Sequence, residues 1–123
     1  MEFLRTPYAQ IEIDNGILYF TYLPISNFNI QIAKQVVADR LKVQGEISYP
    51  ILCDIRQLNF PDLEARRYLA VEGSILTKAV AYLNSPTSDH LTHFFVRVDQ
   101  PVVPTKLCTS HEEALKFLNA FVK

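Results

Sequence analysis

The chain has 123 residues, of which 49% are hydrophobic and 20% charged, and its 12 basic and 13 acidic residues give a formal net charge of -1. This length and composition predict one globular domain over residues 1–123 and argue against a disordered chain. The balanced charge argues against nucleic acid as a partner. No stretch is apolar over the ~18 residues that a membrane span needs, and no secretory signal pattern opens the chain. A cytoplasmic location is therefore expected.

The chain opens with a predicted β-hairpin. Ile11 and Ile13 alternate within residues 8–13, and Asp14-Asn15-Gly16 supplies the residues that a tight turn with positive φ requires. The returning strand, ILYFTYL at 17–23, is apolar on both faces. We therefore expect something packed on each face, and a second subunit is one candidate. Homodimerisation through the hairpin is a hypothesis of this pattern.

Helices and strands alternate after the hairpin. Apolar periodicity and breaker residues predict a helix that ends at Gly45 and is capped by Asn27 or Asn29, followed by a strand at 51–55. A second helix over 62–72, capped by Asn59 or Asp62, precedes a strand at 79–83. A third helix over 88–98 and a strand at 105–109 follow, and a capping box from Ser110 to Glu113 begins the last helix. The order is β-β-α-β-α-β-α-β-α. It predicts an α/β fold whose mixed, mostly parallel sheet has about five strands and about four helices.

This element order, with Cys53-Asp54-Ile55-Arg56 closing the central strand, resembles the STAS fold of bacterial anti-sigma factor antagonists. The likeness covers nearly the whole chain. It is sharpest over 51–123, where several runs resemble those of an uncharacterised family of short STAS-like bacterial proteins: DIRQLNFPDLEARRYLA, AVAYLNSP, HFFVR, PVVPTKL and EEALKFL. The resemblance implies a regulatory domain that binds another protein.

In the regulatory STAS domains, a serine at the start of the helix after this strand is phosphorylated and switches partner binding. When Asp54 and Asp62 are matched to the two acidic positions of that pattern, Leu63 and Glu64 stand where hydroxyl residues are expected. The resemblance therefore does not extend to a serine switch. Glu64 has two interpretations, a permanent negative charge in place of a phosphate or a helix-capping and solubilising residue.

The candidate binding site lies at the carboxyl edge of the predicted sheet, where open α/β folds usually place a ligand crevice. Its residues are Asp54, Arg56, Asp62, Glu64, Arg67 and Tyr68. A purely structural alternative explains the same residues. In that alternative Asp54 accepts loop amides, Arg56 pairs with Glu64, and Tyr68 is half-buried with a solvated hydroxyl.

The sequence predicts no catalytic residues, no metal and no cofactor. It contains no Gly-x-Ser-x-Gly elbow and no Gly-rich phosphate loop. His90 and His93 have a spacing compatible with metal ligands, but no further ligand stands at a metal-site spacing. Cys53 and Cys108 lie in apolar segments and are interpreted as small hydrophobic residues.

Two functions remain. The first is a non-catalytic STAS-like module that binds another protein, of unknown identity, through the 54–64 loop and the second helix. The second is a carrier or sensor of a small apolar, lipid-like ligand, held between the helices and an aromatic face of the sheet. The aromatic residues that suggest it are Tyr19, Phe20, Tyr22, Phe28, Phe94 and Phe95.

Overall fold

The computed structural model describes residues 3–58, 61–85 and 103–122. Within these residues one six-stranded sheet is flanked by three α-helices and a short 3₁₀ turn at Asn119–Phe121. The strands are β1 (Phe3–Arg5), β2 (Ala9–Asp14), β3 (Ile17–Tyr22), β4 (Tyr49–Asp54), β5 (Thr77–Leu83) and β6 (Thr105–Cys108), and the helices are α1 (Ile30–Gln44), α2 (Leu63–Glu72) and α3 (His111–Leu118). The predicted α/β fold is confirmed. The predicted helix over 88–98 lies outside the described residues.

The strands follow one another across the sheet in chain order, from β1 at one edge to β6 at the other. β1, β2 and β3 pair antiparallel, whereas β3, β4, β5 and β6 pair parallel. β4 therefore has a parallel neighbour on each side. This placement confirms the predicted central strand and brings its carboxyl end to one edge of the sheet.

The sheet contains a strand that the sequence did not predict. β1 is three residues long, and its Leu4 is paired with Ile11 of β2. So short a segment cannot show the period-two alternation by which a strand is recognised, and Pro7 follows it closely. The described sheet consequently has six strands rather than about five.

The hairpin between β2 and β3 turns at Asn15 and Gly16, which have φ values of 51° and 80°. The predicted tight turn with positive φ is confirmed, and its two successive positive φ angles define type I′, which matches the twist of the flanking strands. Gly16 meets a second constraint. A Cβ atom at this position would lie 2.8 Å from Cγ1 of Val122, near the end of the chain.

The two faces of the sheet bury separate apolar clusters. α1 and α2 cover one face, with Leu18, Phe20 and Ile51 in the cluster beneath them. α3 covers the other face, with Ile17 and Leu52 beneath it. Both apolar faces of the returning strand of the hairpin are thus covered from within the same chain, which explains the pattern that suggested a homodimer.

Side-chain caps fix the first turns of the helices. Asn29 rather than Asn27 caps α1, because the Asn29 side chain accepts a hydrogen bond from the Ile32 amide at 3.1 Å. Asp62 caps α2 by accepting from the Ala65 amide at 2.8 Å. Before α3, Ser110 accepts from the Glu113 amide as predicted, and the Glu113 carboxylate reaches back to the Thr109 amide, one residue before the N-cap amide used in a capping box.

Asn29→Ala is expected to lower the free energy of unfolding by about 1 kcal/mol, because it removes the acceptor for an amide in the first turn of α1. Asn27→Ala is the matched control, since Asn27 is exposed and precedes the cap. It should change stability by less than about 0.5 kcal/mol. Urea unfolding followed by circular dichroism measures both values, and equal losses would contradict the assignment of the cap.

Candidate functional site

The loop after β4 is held by an ion pair between Asp54 and Arg56. The Asp54 carboxylate accepts hydrogen bonds from the Arg56 backbone amide at 3.0 Å, from Nε at 3.0 Å and from Nη2 at 2.7 Å. These bonds raise the pKa of Arg56. Asp54 therefore accepts a loop amide, as the structural alternative expected. The partner of Arg56, however, is Asp54 and not Glu64, because a guanidinium two residues away reaches both carboxylate oxygens.

Side-chain alternation along β4 directs Asp54 away from α2. Ile51 and Cys53 belong to the cluster beneath α1 and α2, whereas Leu52 belongs to the cluster beneath α3. Asp54, two residues after Leu52, takes the Leu52 side of the sheet. The structure thus brings Asp54 and Arg56 together, and the candidate residues of α2 lie over the opposite face.

The candidate residues of α2 have three different environments. Asp62 is used as the N-cap, with its carboxylate bonded to the Ala65 amide. Glu64 and Arg67 are exposed to solvent. Tyr68 packs against the apolar cluster beneath α1 and α2. Only Asp62, Glu64 and Arg67 therefore share an accessible surface.

Two apolar residues that sequence reasoning did not select extend this surface. The side chains of Leu63 and Val71 are 48% and 60% exposed, and Arg67 lies between them at a spacing of four residues on either side. Leu63, Arg67 and Val71 therefore follow one line along the helix. We call the surface formed by Asp62, Leu63, Glu64, Arg67 and Val71 the α2 outer face. The i, i+4, i+8 spacing of Leu63, Arg67 and Val71 is the sequence pattern that could have predicted this surface. It places them on the side of α2 opposite the buried Ala65 and the half-buried Leu69.

A cavity of about 80 Å³ lies between the sheet and the pair of helices α1 and α2. Most of its wall is apolar and is contributed by β3, β4, β5 and both helices. The lining includes Phe20, Val36, Ile51, Ile55, Leu69 and Val80. Tyr22, Arg40 and Cys53 bring polar groups to the same wall. A mostly apolar, partly open cavity with a few polar groups has the kind of lining found in small-molecule sites.

Arg40 is the charged residue among the described residues of this wall, and it is only 4% exposed. Its Nη1 donates to the Gln44 side-chain oxygen and, at 3.0 Å, to the Ile75 carbonyl, while Nη2 donates to the Gly73 carbonyl at 3.2 Å. The guanidinium therefore ties α1 to the loop that joins α2 to β5. Sequence reasoning missed Arg40, although its place in the apolar stripe of α1, four residues after Val36, is a usable signal.

Cys53 and Cys108 are buried free thiols. Burial raises the pKa of Cys53 well above that of an ordinary thiol and raises the pKa of Cys108 to about 11. Both thiols are therefore protonated at neutral pH, and a protonated thiol is a poor nucleophile. This agrees with their interpretation as small hydrophobic residues.

No group of three or more His, Cys, Asp or Glu side chains suited to a metal ion occurs among the described residues. In the same part of the chain, no helix is long and apolar enough to cross a membrane. His90, His93, Phe94 and Phe95 lie outside the described residues.

The hairpin, the parallel strands and the helices on both faces define a STAS-like α/β domain. The chain is similar to the crystal structure of an uncharacterised DUF3478-family protein with a SpoIIAA-like fold from Shewanella loihica PV-4, with a TM-score of 0.57 and 15% sequence identity over 94% of this chain and 98% of that chain. This likeness shows the fold and confirms the predicted STAS-like architecture. The model of a domain of unknown function, DUF7793, matches residues 11–122, and the chain belongs to that family. The search of curated proteins found no match.

Proposed function

We propose that this STAS-like domain is a non-catalytic interaction module that binds another protein through the α2 outer face. The observation that supports it is the row of Leu63, Arg67 and Val71, in which two large apolar side chains are about half exposed on either side of a charged one. Burying apolar side chains stabilises association, and a charged residue between them selects the partner. The expected partner segment is apolar, with an acidic group opposite Arg67.

The residues next to the α2 outer face hold the start of α2 in a fixed position. The Asp62 amide donates to the Phe28 carbonyl and its side chain caps α2, so the start of the helix is fixed on both sides. The Asp54–Arg56 pair closes the loop before it. Leu63 and Glu64 carry no hydroxyl group, so binding in this proposal does not require phosphorylation at the start of the helix. Glu64 supplies a constant negative charge there.

The proposal is tested by capture of a partner from the native cells and by binding measurements with the purified pair. The double variant Leu63→Ser/Val71→Ser should weaken binding of the same protein by at least tenfold, because both apolar contacts are lost. Arg67→Glu should weaken it by a similar factor through charge repulsion. Phe3→Ser is the matched control, since Phe3 is an equally exposed apolar residue on the distant edge strand β1.

Three results would contradict the proposal. One is a partner that binds the double variant and the wild type equally. Another is equal weakening by Phe3→Ser, which would indicate a general effect of surface polarity. The third is sedimentation showing that the only partner of the α2 outer face is a second copy of the chain.

A second candidate function rests on the cavity. We propose that the domain alternatively carries or senses a small molecule enclosed between α1, α2 and the sheet. The support is the largely apolar wall and the few polar groups that it contains. Such a function would not use the α2 outer face, because Leu63 and Arg67 do not line the cavity.

Native mass spectrometry of protein purified from its own cells tests the second candidate. Wild type should carry a bound small molecule, and Ala70→Phe should lose it, because Ala70 lines the cavity and a phenyl ring would fill the space. Ala38→Phe is the control, since Ala38 is exposed on α1. Bare wild-type protein, or retention of the molecule by Ala70→Phe, would count against a ligand in this cavity.

A further inference from the structure

The cavity contains a buried positive charge that no described acidic group balances. Arg40 is 4% exposed, and within residues 3–58, 61–85 and 103–122 it forms no ion pair with a carboxylate. Its acceptors are the neutral Gln44 side chain and the carbonyls of Gly73 and Ile75. The carbonyls at the end of α2 offset part of the charge through the helix dipole. Among the described residues a full counter-charge is missing, and a buried charge is usually paired.

The hydrogen bonds of Arg40 also leave donors available. A guanidinium has five N–H groups. Three of them are used, two at Nη1 and one at Nη2. The N–H of Nε and the second N–H of Nη2 have no acceptor among the residues that the structure describes. Nε and Nη2 lie on one edge of the planar guanidinium, and this edge can bind a carboxylate with two parallel hydrogen bonds.

Tyr22 and Cys53, two other polar residues of the cavity wall, do not provide the missing negative charge. Burial raises the pKa of both Tyr22 and Cys53 well above their ordinary values, so both are protonated at neutral pH. Arg40 itself lowers both pKa values, but by less than burial raises them. Among the described lining residues, the wall thus combines the cation of Arg40 with hydroxyl and thiol groups and apolar side chains.

The volume of the cavity limits the size of a ligand. A volume of about 80 Å³ equals that of about three water molecules in the liquid, and it is about half of the ~150 Å³ of an engineered apolar cavity that encloses benzene. A long acyl chain would not be enclosed. The cavity is partly open, so a small aromatic or branched acid would place part of its apolar body against Phe20, Ile51 and Leu69 and leave the rest at the opening.

We propose that the cavity binds a small monocarboxylic acid with a compact apolar body, whose carboxylate takes the two remaining N–H groups of Arg40. This inference rests on the second candidate function and narrows its ligand from lipid-like molecules in general to small organic anions. The acid would supply the counter-charge for Arg40, and the apolar wall would hold its body. Charge and shape are therefore selected by different parts of the same cavity.

The test compares three compounds of nearly equal size that differ in charge: benzoate, benzyl alcohol and benzylamine. Each is titrated into the purified full chain at pH 7 and followed by two-dimensional amide NMR. Benzoate should bind saturably, with shifts at residues around the cavity. Benzyl alcohol should bind at least tenfold more weakly, and benzylamine should not bind there, because Arg40 repels it.

Three variants test whether Arg40 and the cavity are responsible for the preference for benzoate. Arg40→Met keeps the aliphatic part of the side chain and should remove the preference for benzoate over benzyl alcohol. Lys42→Met, which removes an exposed cation from α1, should leave the preference unchanged. Ala70→Phe should abolish binding of both compounds. The comparison of the three compounds on wild type stands alone if Arg40→Met does not fold.

The outcomes distinguish a failure of the anion inference from a failure of the carrier function on which it rests. Equal binding of benzoate and benzyl alcohol in the cavity would overturn the anion inference and leave a cavity for neutral molecules. No binding of any of the three compounds would overturn the anion inference, and with bare protein in native mass spectrometry it would also remove the carrier function. Benzoate binding that persists unchanged in Ala70→Phe would place the anion elsewhere and likewise overturn the inference.

Discussion

Leu52→Ala is expected to lower the free energy of unfolding by about 3 kcal/mol, within the usual range of 2–5 kcal/mol for a buried leucine. Leu52 is 2% exposed at the centre of β4, where Tyr19 of β3 and Ala81 of β5 are its neighbours in register. The side chain of Ala81 is too short to fill the space, and the parallel strands on both sides hold the backbone in place. The cavity left by the substitution therefore remains largely open.

Leu107→Ala is the matched control for this prediction. Leu107 has the same side chain on the edge strand β6, but it is 36% exposed. Its truncation should cost less than about 1 kcal/mol, since most of the lost contacts are replaced by water. Urea unfolding curves give both values. Similar costs at the two positions would mean that β4 is not the centre of the sheet.

The parts of the fold that the sequence predicts are those whose signal is local and repeated. The turn at Asn15 and Gly16 is specified by residue types that tolerate positive φ, and the capping box at Ser110 and Glu113 by two side chains with a fixed spacing. β1 was missed because its pairing is a long-range property, decided by the free edge of β2 rather than by its own three residues. The choice between Asn27 and Asn29 likewise depended on where the first turn of α1 closes.

The candidate site was less predictable, because it depends on which face of the sheet each side chain takes. Asp54 and Glu64 are ten residues apart in sequence, and their separation by the sheet appears only when the register of β4 and the position of α2 are known. Arg56 was assigned the wrong partner in the structural alternative for the same reason. The role of Arg40 could not be predicted because two of its acceptors are backbone carbonyls more than thirty residues away. Every residue has a backbone carbonyl, so the sequence does not indicate which carbonyls accept these bonds.

Arg40→Ala is expected to lower the free energy of unfolding by about 3 kcal/mol. The substitution removes the donors for the Gln44 side chain and for the carbonyls of Gly73 and Ile75, and bonds to charged groups contribute about 1.5–3 kcal/mol each. Removal of a desolvated charge offsets part of this loss. Arg40→Lys should restore little, since one ammonium group cannot reach both carbonyls as a guanidinium does. Lys42→Ala, exposed on the same helix, is the control and should cost less than about 0.5 kcal/mol.

The loss at Arg40 should be coupled to Gln44, because the two side chains are bonded to each other and hold the same loop. Gln44 donates to the carbonyls of Ile47 and Leu76, each at 2.9 Å. In a double-mutant cycle, Arg40→Ala and Gln44→Ala should therefore cost less together than the sum of the single losses.

Amide hydrogen exchange measures the local opening of this loop independently of the double-mutant cycle. The amides of Tyr49 and Thr77, whose acceptors are the carbonyls of Leu76 and Ser74, should exchange faster in Arg40→Ala than global unfolding alone requires, because the loop opens locally without the bonds from Arg40. Exchange that follows only the global stability would show that Arg40 acts through the core as a whole rather than by holding this loop.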